Sequence, residues 1–236
     1  MKSIFKIFAL GFLFLSLSAP TFAQKNKSKI VEEAHVSYLI TAEGGMAAML
    51  TGSKVDLFFT PNNSKIVGDV MSGMVKLDGR FDNNKKTGLL LLDMMGDKQY
   101  MELDDESIDE SAEQSEVINK QKTHKVEYIK KYKEIAGYKC QEVRMTLEES
   151  TNPIIIYVTE LIKPSNLENT AIMKFVGLKG FPLAWEGDYQ GVKFSVKATD
   201  VFLDKLSKKI FNSKIPEGYT KMTEESIQNM GENIGL

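Results

Sequence analysis

The chain has 236 residues, 42% of them hydrophobic and 26% charged, and its formal net charge at pH 7 is −2. This length is sufficient for a real hydrophobic core, whereas the weakly acidic balance argues against binding to a nucleic-acid backbone. The single cysteine excludes an internal disulfide framework, so we expect packing alone to stabilise the fold.

The N-terminal segment has the three parts of a secretory signal peptide. A basic start, MKSIFK, precedes the apolar run IFALGFLFLSLSA, and Thr21 and Ala23 supply the small residues of a cleavage site. The apolar run is too short for a membrane-spanning helix, which needs about 20 residues. We therefore expect export to the periplasm or the medium, with residues 1–23 removed and a mature chain that begins at Gln24.

Alternation between apolar and polar residues then predicts one strand after another. In AHVSYLI, Val36 and Tyr38 share a face, and SKVDLFFT repeats the pattern. The turn signals PNN and Ser72-Gly73 separate further strands. LLLLDMM is apolar throughout, which is typical of a strand that is covered on both faces. Short strands at this spacing predict an antiparallel sandwich or barrel.

A charged insertion near residues 104–124 interrupts the strand patterns. Acidic residues crowd its first part, 104–116, and a basic stretch follows. Because its apolar stripe is weak, we expect a solvated loop, a marginal helix or a lid. The whole mature chain, residues 24–236, is nevertheless predicted to be a single β-rich domain that contains this insertion.

Strand patterns resume after the insertion and continue almost to the C-terminus. Gly137 marks a turn between two long strands, and FPLAWEG and GVKFSVKATDV form a hairpin. Ser165 is a helix N-cap candidate, and Thr223 begins a C-terminal helix with the sequence TEESIQNMGENI. The predicted fold class is therefore mainly β (α+β), with a few short helices that include a C-terminal one.

Residues that could carry chemistry are few. The chain has two histidines and lacks the short motifs of zinc proteases, hydrolases and phosphate-binding loops. His35 is expected to be packed or solvent-facing rather than a catalytic base, and Cys140 is expected to be a buried, inert thiol. We therefore expect no enzymatic activity, no metal site and no cofactor.

The order of several short segments resembles a known family. The segments are GGMAAMLTGSKVDLFF, LLLLDMMGDKQYMELD, EIAGYKCQEVRM, KGFPLAWE, KATDV and IPEGYTKMTEES. Together they resemble an uncharacterised Bacteroidetes envelope family, domain of unknown function 4412, over nearly all of the mature chain. The resemblance implies a relative of the periplasmic lipoprotein carriers of the LolA and LppX type. In that fold a curved antiparallel sheet forms a half-barrel, and helices plug its concave apolar face. It implies no catalytic residues.

Aromatic residues and methionines are the candidates for lining an apolar site in such a half-barrel, although they also suit an ordinary core. The candidate ligand-binding residues are Trp185, Phe194, Phe59, Tyr38, Met46 and Met49.

Three hypotheses for function follow from these candidates. The first is an exported, non-enzymatic envelope protein that binds a lipid, an acylated peptide or another apolar ligand, with peripheral membrane contact. The second is a structural or interaction protein of the periplasm with a closed core, which binds another envelope protein. The third is copper handling through methionine thioethers, which are soft ligands.

Overall fold

The computed structural model of the protein describes residues 30–104, 123–147, 152–164, 178–189 and 191–223. The expected signal peptide, nearly all of the charged insertion, the helix predicted from Ser165 and the helix predicted after Thr223 lie outside these residues.

Strands dominate the described residues and belong to one sheet, which confirms the mainly β prediction. The strands are β1 (Ala34–Glu43), β2 (Lys54–Phe59), β3 (Asn63–Val70), β4 (Val75–Asp82), β5 (Thr87–Met94), β6 (Asp97–Leu103), β7 (Thr123–Ile135), β8 (Tyr138–Leu147), β9 (Ile154–Thr159), β10 (Phe181–Tyr189), β11 (Val192–Phe202) and β12 (Thr220–Lys221). Two short 3-10 helices, Gly45–Leu50 and Lys208–Phe211, also lie within the described ranges.

The strand order in the sheet is β12-β6-β5-β4-β3-β2-β1-β11-β10-β9-β8-β7. All neighbouring pairs are antiparallel except β12 and β6, which run parallel. The sheet is therefore mixed, and the prediction of a purely antiparallel sheet is wrong at this edge. The parallel strand arises because the chain returns to β6 only after a long connection from β11.

The sheet curls so that strands far apart in its order share a core. The main buried cluster joins Val36 of β1 and Leu57 of β2 to Tyr138 and Cys140 of β8, although β11, β10 and β9 lie between β1 and β8. Cα atoms of β7 and β11 also come within 8 Å of each other. Open sheets of this size normally curl. We call the face of β1–β6 that carries Val36 the inner face and the opposite face the outer face.

A bulge keeps the apolar residues of β11 on the inner face. The register between β1 and β11 shifts between Ser37 and Tyr38, which leaves Thr199 as an extra residue. Without such a residue, strict alternation would place Ala198 and Val201 on opposite faces. With it, both align with inner-face residues of β1, as the sequence pattern of β11 requires.

The chain after β11 crosses the outer face of β3–β6. The Lys208–Phe211 helix contacts β3 and β4, the carbonyl oxygen of Asn212 accepts a hydrogen bond from Arg80, and β12 pairs with β6. On this face Leu89 and Leu91 are buried. The prediction that LLLLDMM is covered on both faces is thus confirmed for its outer side.

The turns define two ends of the sheet. The turns 44–53, 71–74 and 95–96 lie at one end, which we call the upper end, because they follow β1, β3 and β5. The turns 60–62 and 83–86 lie at the opposite, lower end. The main core is concentrated towards the lower end, where the backbone of Val31 also bonds to Leu161 and Lys163 beyond β9.

Candidate functional site: the apolar inner face

Three rows of cross-strand neighbours make up most of the inner face of β1–β6. In order from β1 to β6, the lower row is Ala34, Phe59, Ser64, Phe81, Gly88 and Leu103; the middle row is Val36, Leu57, Ile66, Gly79, Leu90 and Met101; and the upper row is Tyr38, Val55, Gly68, Leu77, Leu92 and Gln99. No position in these three rows carries a charge, whereas a shorter fourth row nearer the upper end, Val70, Val75, Met94 and Asp97, ends in an exposed carboxylate. On the outer face, by contrast, Lys54, Asp69, Lys76, Asp93 and Lys98 form a ladder of alternating sign.

Burial changes along these rows. In the middle row Val36 and Leu57 are 0% and 1% exposed, whereas Leu90 and Met101 are only half-buried. In the upper row Tyr38 is buried, while Val55, Leu77 and Leu92 are half-buried; of these three, Val55 packs against the main cluster. The inner face therefore has a more packed part on β1 and β2 and a less packed part on β4–β6, although in these rows both parts are apolar apart from Gln99 of β6.

Glycines allow the inner face of β3–β5 to be lined by flat groups. A Cβ atom on Gly88 would lie 2.9 Å from Cδ1 of Phe81, and one on Gly79 would lie 3.0 Å from Cγ2 of Ile66. The ring of Phe81 thus lies over Gly88 and Gly79, where the side chain of any larger residue would clash with it. Glycines at such positions also let a sheet coil strongly. The result is a smooth apolar wall of ring and aliphatic carbon.

Tyr38 and Trp185, two of the predicted ligand-binding residues, lie together in the structure. Their ring centroids are 5.6 Å apart at an angle of 55°. Tyr38 is buried, and its hydroxyl donates a 3.0 Å hydrogen bond to the carbonyl oxygen of Pro182. Burial, with a smaller effect of Cys140, raises the pKa of Tyr38 well above its ordinary value, so the hydroxyl remains a donor. Trp185 is half-buried and packs against both hydrophobic clusters.

Phe59 and Phe194, the other two predicted aromatic residues, lie in different surroundings. Phe59 is buried and its ring centroid is 5.8 Å from that of Phe181, which makes it part of the packed core. Phe194 is half-buried near the upper end, with Cζ 3.3 Å from the Cβ position of Gly187. There it lines a depression of about 400 Å³ with residues of β1, β9, β10 and β11, among them Glu43 and Lys193.

Met46 and Met49 do not join the aromatic residues. They lie on the Gly45–Leu50 helix at the upper end, where Met46 is 84% and Met49 48% exposed. The structure thus brings Tyr38 and Trp185 together and places Phe59 in the core. It places Phe194 near the upper end of the sheet and leaves the two methionines at the surface. Sequence reasoning missed the half-buried wall of Leu77, Leu90 and Leu92, which hairpin register could have revealed.

His35 has partners that the sequence did not predict. On the outer face its Nε2 lies 2.7 Å from Oδ1 of Asp56 and 3.2 Å from Oγ of Ser37, and Ser37 also donates to Asp56. The ring stacks on Phe58 with centroids 4.1 Å apart. A catalytic triad needs the serine and the carboxylate on different ring nitrogens. Here both face the same nitrogen, so the geometry is that of a structural cross-strand contact.

Cys140 is buried and free, as predicted. Burial raises the pKa of its thiol to about 12, only partly opposed by a backbone hydrogen bond at Ile135. Such a thiol is almost entirely protonated at neutral pH and is a poor nucleophile or metal ligand. It therefore belongs to the core rather than to a reactive site.

Several solved structures are similar to this chain. PNGF-II covers 84% of it at 11% identity with a TM-score of 0.45, and the chain spans 32% of PNGF-II. The Mycobacterium tuberculosis lipoprotein LppX covers 75% of it at 10% identity with a TM-score of 0.37, over 89% of LppX. A β-barrel-like protein of domain of unknown function 1849 from Brucella abortus covers 75% at 9% identity with a TM-score of 0.33, over its full length.

Likenesses of this size establish neither a function nor a family for this chain. No family model and no curated protein matches the sequence, so membership of domain of unknown function 4412 stays a prediction. None of the helices in the described ranges has the length and hydrophobicity to cross a membrane.

Proposed function

We propose that this protein is an exported, non-enzymatic binding protein of the cell envelope that holds the acyl chain of a lipid or acylated peptide. The ligand lies against the inner face of β4–β6. The observation that supports this most directly is the difference in burial along the inner rows: Leu77, Leu90 and Leu92 are as apolar as the core residues beside them, yet only half-buried. Apolar surface of this kind commonly marks a ligand site.

The energetics suit a ligand that needs no polar contacts. An acyl chain of ~14 carbons gains on the order of 10 kcal/mol on burial, at ~0.8 kcal/mol per methylene, before ordering costs. Micromolar affinity requires only about 8 kcal/mol. The lower and middle rows of β4–β6 present no polar side chain, and the charge on this face, Asp97, is exposed beside the turn 95–96 at the upper end. Half-buried Trp185 packs against the cluster of β1 and β2, so its emission would report on a bound chain long enough to reach from β4–β6 to that cluster.

A second candidate is a periplasmic structural or interaction protein whose inner face is simply its core. The fully buried cluster around Tyr38 and Phe59 favours it, because that part of the face has no room for a ligand. The two candidates differ in what they expect of β4–β6. The carrier needs this part of the wall for its ligand, whereas the interaction protein needs it only for stability.

Native mass spectrometry of the protein purified from its own envelope tests the proposal. We expect a lipid-sized mass adduct that organic extraction removes, and a change in the emission of Trp185, the single tryptophan, when fatty acids are added. Leu77→Gln on the inner face should weaken the binding of a fluorescent fatty acid. Lys76→Gln, its neighbour on the outer face, should leave binding unchanged.

The absence of both an adduct and calorimetric heat with several acyl ligands would overturn the carrier proposal. The interaction-protein candidate would then take its place. A silent Trp185 combined with a clear adduct would reject only the placement of the ligand near that residue.

A further inference from the structure

All the exposed methionines among the described residues lie at the upper end of the sheet. They are Met46 and Met49 in the turn 44–53, Met74 in the turn 71–74 and Met95 in the turn 95–96. Met46 is 84% and Met95 82% exposed. We call the residues 44–53, 71–74 and 95–96 the methionine rim.

The methionine rim is uncharged in a chain that is otherwise rich in charge. Its sequences GGMAAMLTGS, MSGM and MG contain no Asp, Glu, Lys or Arg, whereas 26% of all residues are charged. Of the turns at the lower end, 83–86 carries two lysines in the sequence NNKK, whereas 60–62, with the sequence TPN, is uncharged but has no methionine. Among the described residues, exposed methionines are therefore confined to the upper end, where charged residues such as Glu43 and Asp97 flank the rim.

Hydrogen bonds brace the methionine rim from turn to turn. The buried hydroxyl of Ser53 accepts from the backbone N–H of Met71 at 3.1 Å, and the N–H of Met95 donates to the carbonyl oxygen of Met74 at 2.9 Å. Thr51 bonds to both backbone groups of Ala42 through its hydroxyl. These contacts hold the tips in one row, so the exposed side chains project from a fixed scaffold.

Two of the methionines occupy backbone conformations that do not favour them. Met71 has a φ of 54° and Met95 a φ of 53°, both in the left-handed region. Met95 and Gly96 form a two-residue hairpin turn with both φ values positive, where Asn-Gly is preferred. The side chain of Met95 gains almost no burial in return. A strained position without compensating burial motivates a functional hypothesis for Met95, although Lys86 and Ala136 outside the rim also have positive φ values.

We propose that the methionine rim docks on a lipid bilayer and inserts its methionine side chains into the interfacial region. Tips that project in a row match a flat, soft surface, and thioether side chains are flexible enough to fit disordered acyl chains. Just below the rim, the outer-face ladder of Lys54, Asp69, Lys76, Asp93 and Lys98 alternates in sign. Docking therefore depends on apolar contact rather than on lipid charge.

A bilayer fits the methionine rim better than a metal ion or a protein partner does. Strands lie about 4.8 Å apart, so the first and last turns of the rim are roughly 20 Å apart and the four exposed methionines cannot all bind one ion. A specific protein interface typically makes one hydrogen bond per 100–200 Å² or so. The groups that project furthest here, Met46 and Met95, offer only thioethers and methylenes.

Flotation of the mature protein with protein-free phosphatidylcholine vesicles tests this inference. We expect wild type to bind, with no loss in about 0.5 M NaCl and no gain from anionic lipid, because screening weakens only charge attraction. The double variant Met46→Gln/Met95→Gln should bind about tenfold more weakly. The matched variant Met46→Leu/Met95→Leu should bind within about twofold of wild type, since it keeps the apolar side chains.

Met95→Asn separates docking from folding. Asn suits the left-handed turn position, so we expect a thermal midpoint equal to or above that of wild type together with severalfold weaker vesicle binding. Weaker binding by a protein of undiminished stability cannot be attributed to misfolding.

Several outcomes would overturn the proposal. Failure of wild type to bind phosphatidylcholine vesicles would point to a protein partner instead. Equal losses in the Gln and Leu double variants would point to thioether-specific chemistry, such as copper binding. Loss of binding in high salt would indicate adsorption by charge. Fatty-acid binding in solution should be normal in the Gln double variant, so failure of docking and failure of the proposed carrier function remain distinguishable.

Discussion

The two parts of the inner face are both apolar apart from Gln99 and Asp97 of β6, but they differ in packing. On β1 and β2, Val36, Leu57 and Phe59 are buried in a cluster that reaches across to β8. On β4–β6, register partners in the same rows, such as Leu90, are half-buried. Composition therefore does not decide which apolar positions form the core. The curl of the sheet decides it, because strands face packed neighbours only where the sheet folds back on itself.

The largest expected effect is the difference between two leucines of the middle row. Leu57→Ala should lower the free energy of unfolding by about 2–5 kcal/mol, because Leu57 is 1% exposed and a cavity would remain. Leu90→Ala should lower it by only about 1 kcal/mol, because less apolar surface is lost from burial. Urea denaturation of both variants measures the difference. Equal losses would mean that β4–β6 are packed like β1–β2, and would favour a closed core.

Thiol labelling compares how accessible the same two regions are to a reagent in solution. Cys140 is buried, and burial raises the pKa of its thiol to about 12. Its reaction with a thiol reagent at pH 8 should be at least about a hundredfold slower than that of a cysteine introduced as Leu90→Cys. Wild type, in which Cys140 is the single cysteine, should show only the slow reaction and serves as the control. Comparable rates for the two thiols would contradict the difference in packing.

The less packed region depends more on contacts of its outer face. Asp78 of β4 accepts from Arg80 at 2.9 and 2.7 Å and pairs with Lys65 at 3.1 Å. Burial alone would raise the pKa of Asp78, but the hydrogen bonds from Arg80 and Lys65 outweigh it and the pKa is lowered. Arg80 also donates to Asn212, which ties the chain after β11 to this face. We infer that these bonds hold β3 and β4 in place.

Asp78→Asn should therefore lower the free energy of unfolding at pH 7 by about 1–3 kcal/mol. Because the folded pKa is lowered, this stabilisation is complete above the unfolded pKa of about 3.9 and is lost as the pH falls through the folded value. The difference in the free energy of unfolding between wild type and Asp78→Asn should therefore disappear under those acidic conditions. Asp69→Asn, at an exposed outer-face position, should change stability by less than about 0.5 kcal/mol. If the difference in the free energy of unfolding between wild type and Asp78→Asn does not change with pH, the charge of Asp78 has no role in stability.

Local patterns predicted most of the strands, because alternation and turn residues act over a few positions. Val192, Phe194 and Val196 of β11 share a face as the sequence indicates. Pairings between distant segments could not be predicted. Nothing near Thr220 indicates that it will lie beside Gln99, and nothing near His35 indicates Asp56 as its partner. These contacts depend on sheet order, which a one-dimensional pattern does not specify.

The sequence predicted the type of candidate site, an apolar surface, but not its position in the fold. The aromatic residues chosen from the sequence include Tyr38 and Phe59, which the structure buries in the core. Burial depends on which strands face each other across the curl, so no local feature separates Phe59 from half-buried Phe81. The leucines of β4 and β5 carried a usable signal, because hairpin register alone aligns Leu77 with Leu92. Only the three-dimensional structure of the curled sheet shows that Leu77 and Leu92 are less packed than Leu57.

Photo-crosslinking with a fatty acid that carries a diazirine in its acyl chain tests the central claim most directly. After irradiation and digestion, mass spectrometry locates the modified residues. The proposal predicts saturable labelling of the inner wall at Leu77, Leu90 and Leu92, which unlabelled fatty acid abolishes, and none at the outer-face neighbours Lys76 and Asp93. Labelling that does not saturate, or that falls only on the outer face, would contradict the account.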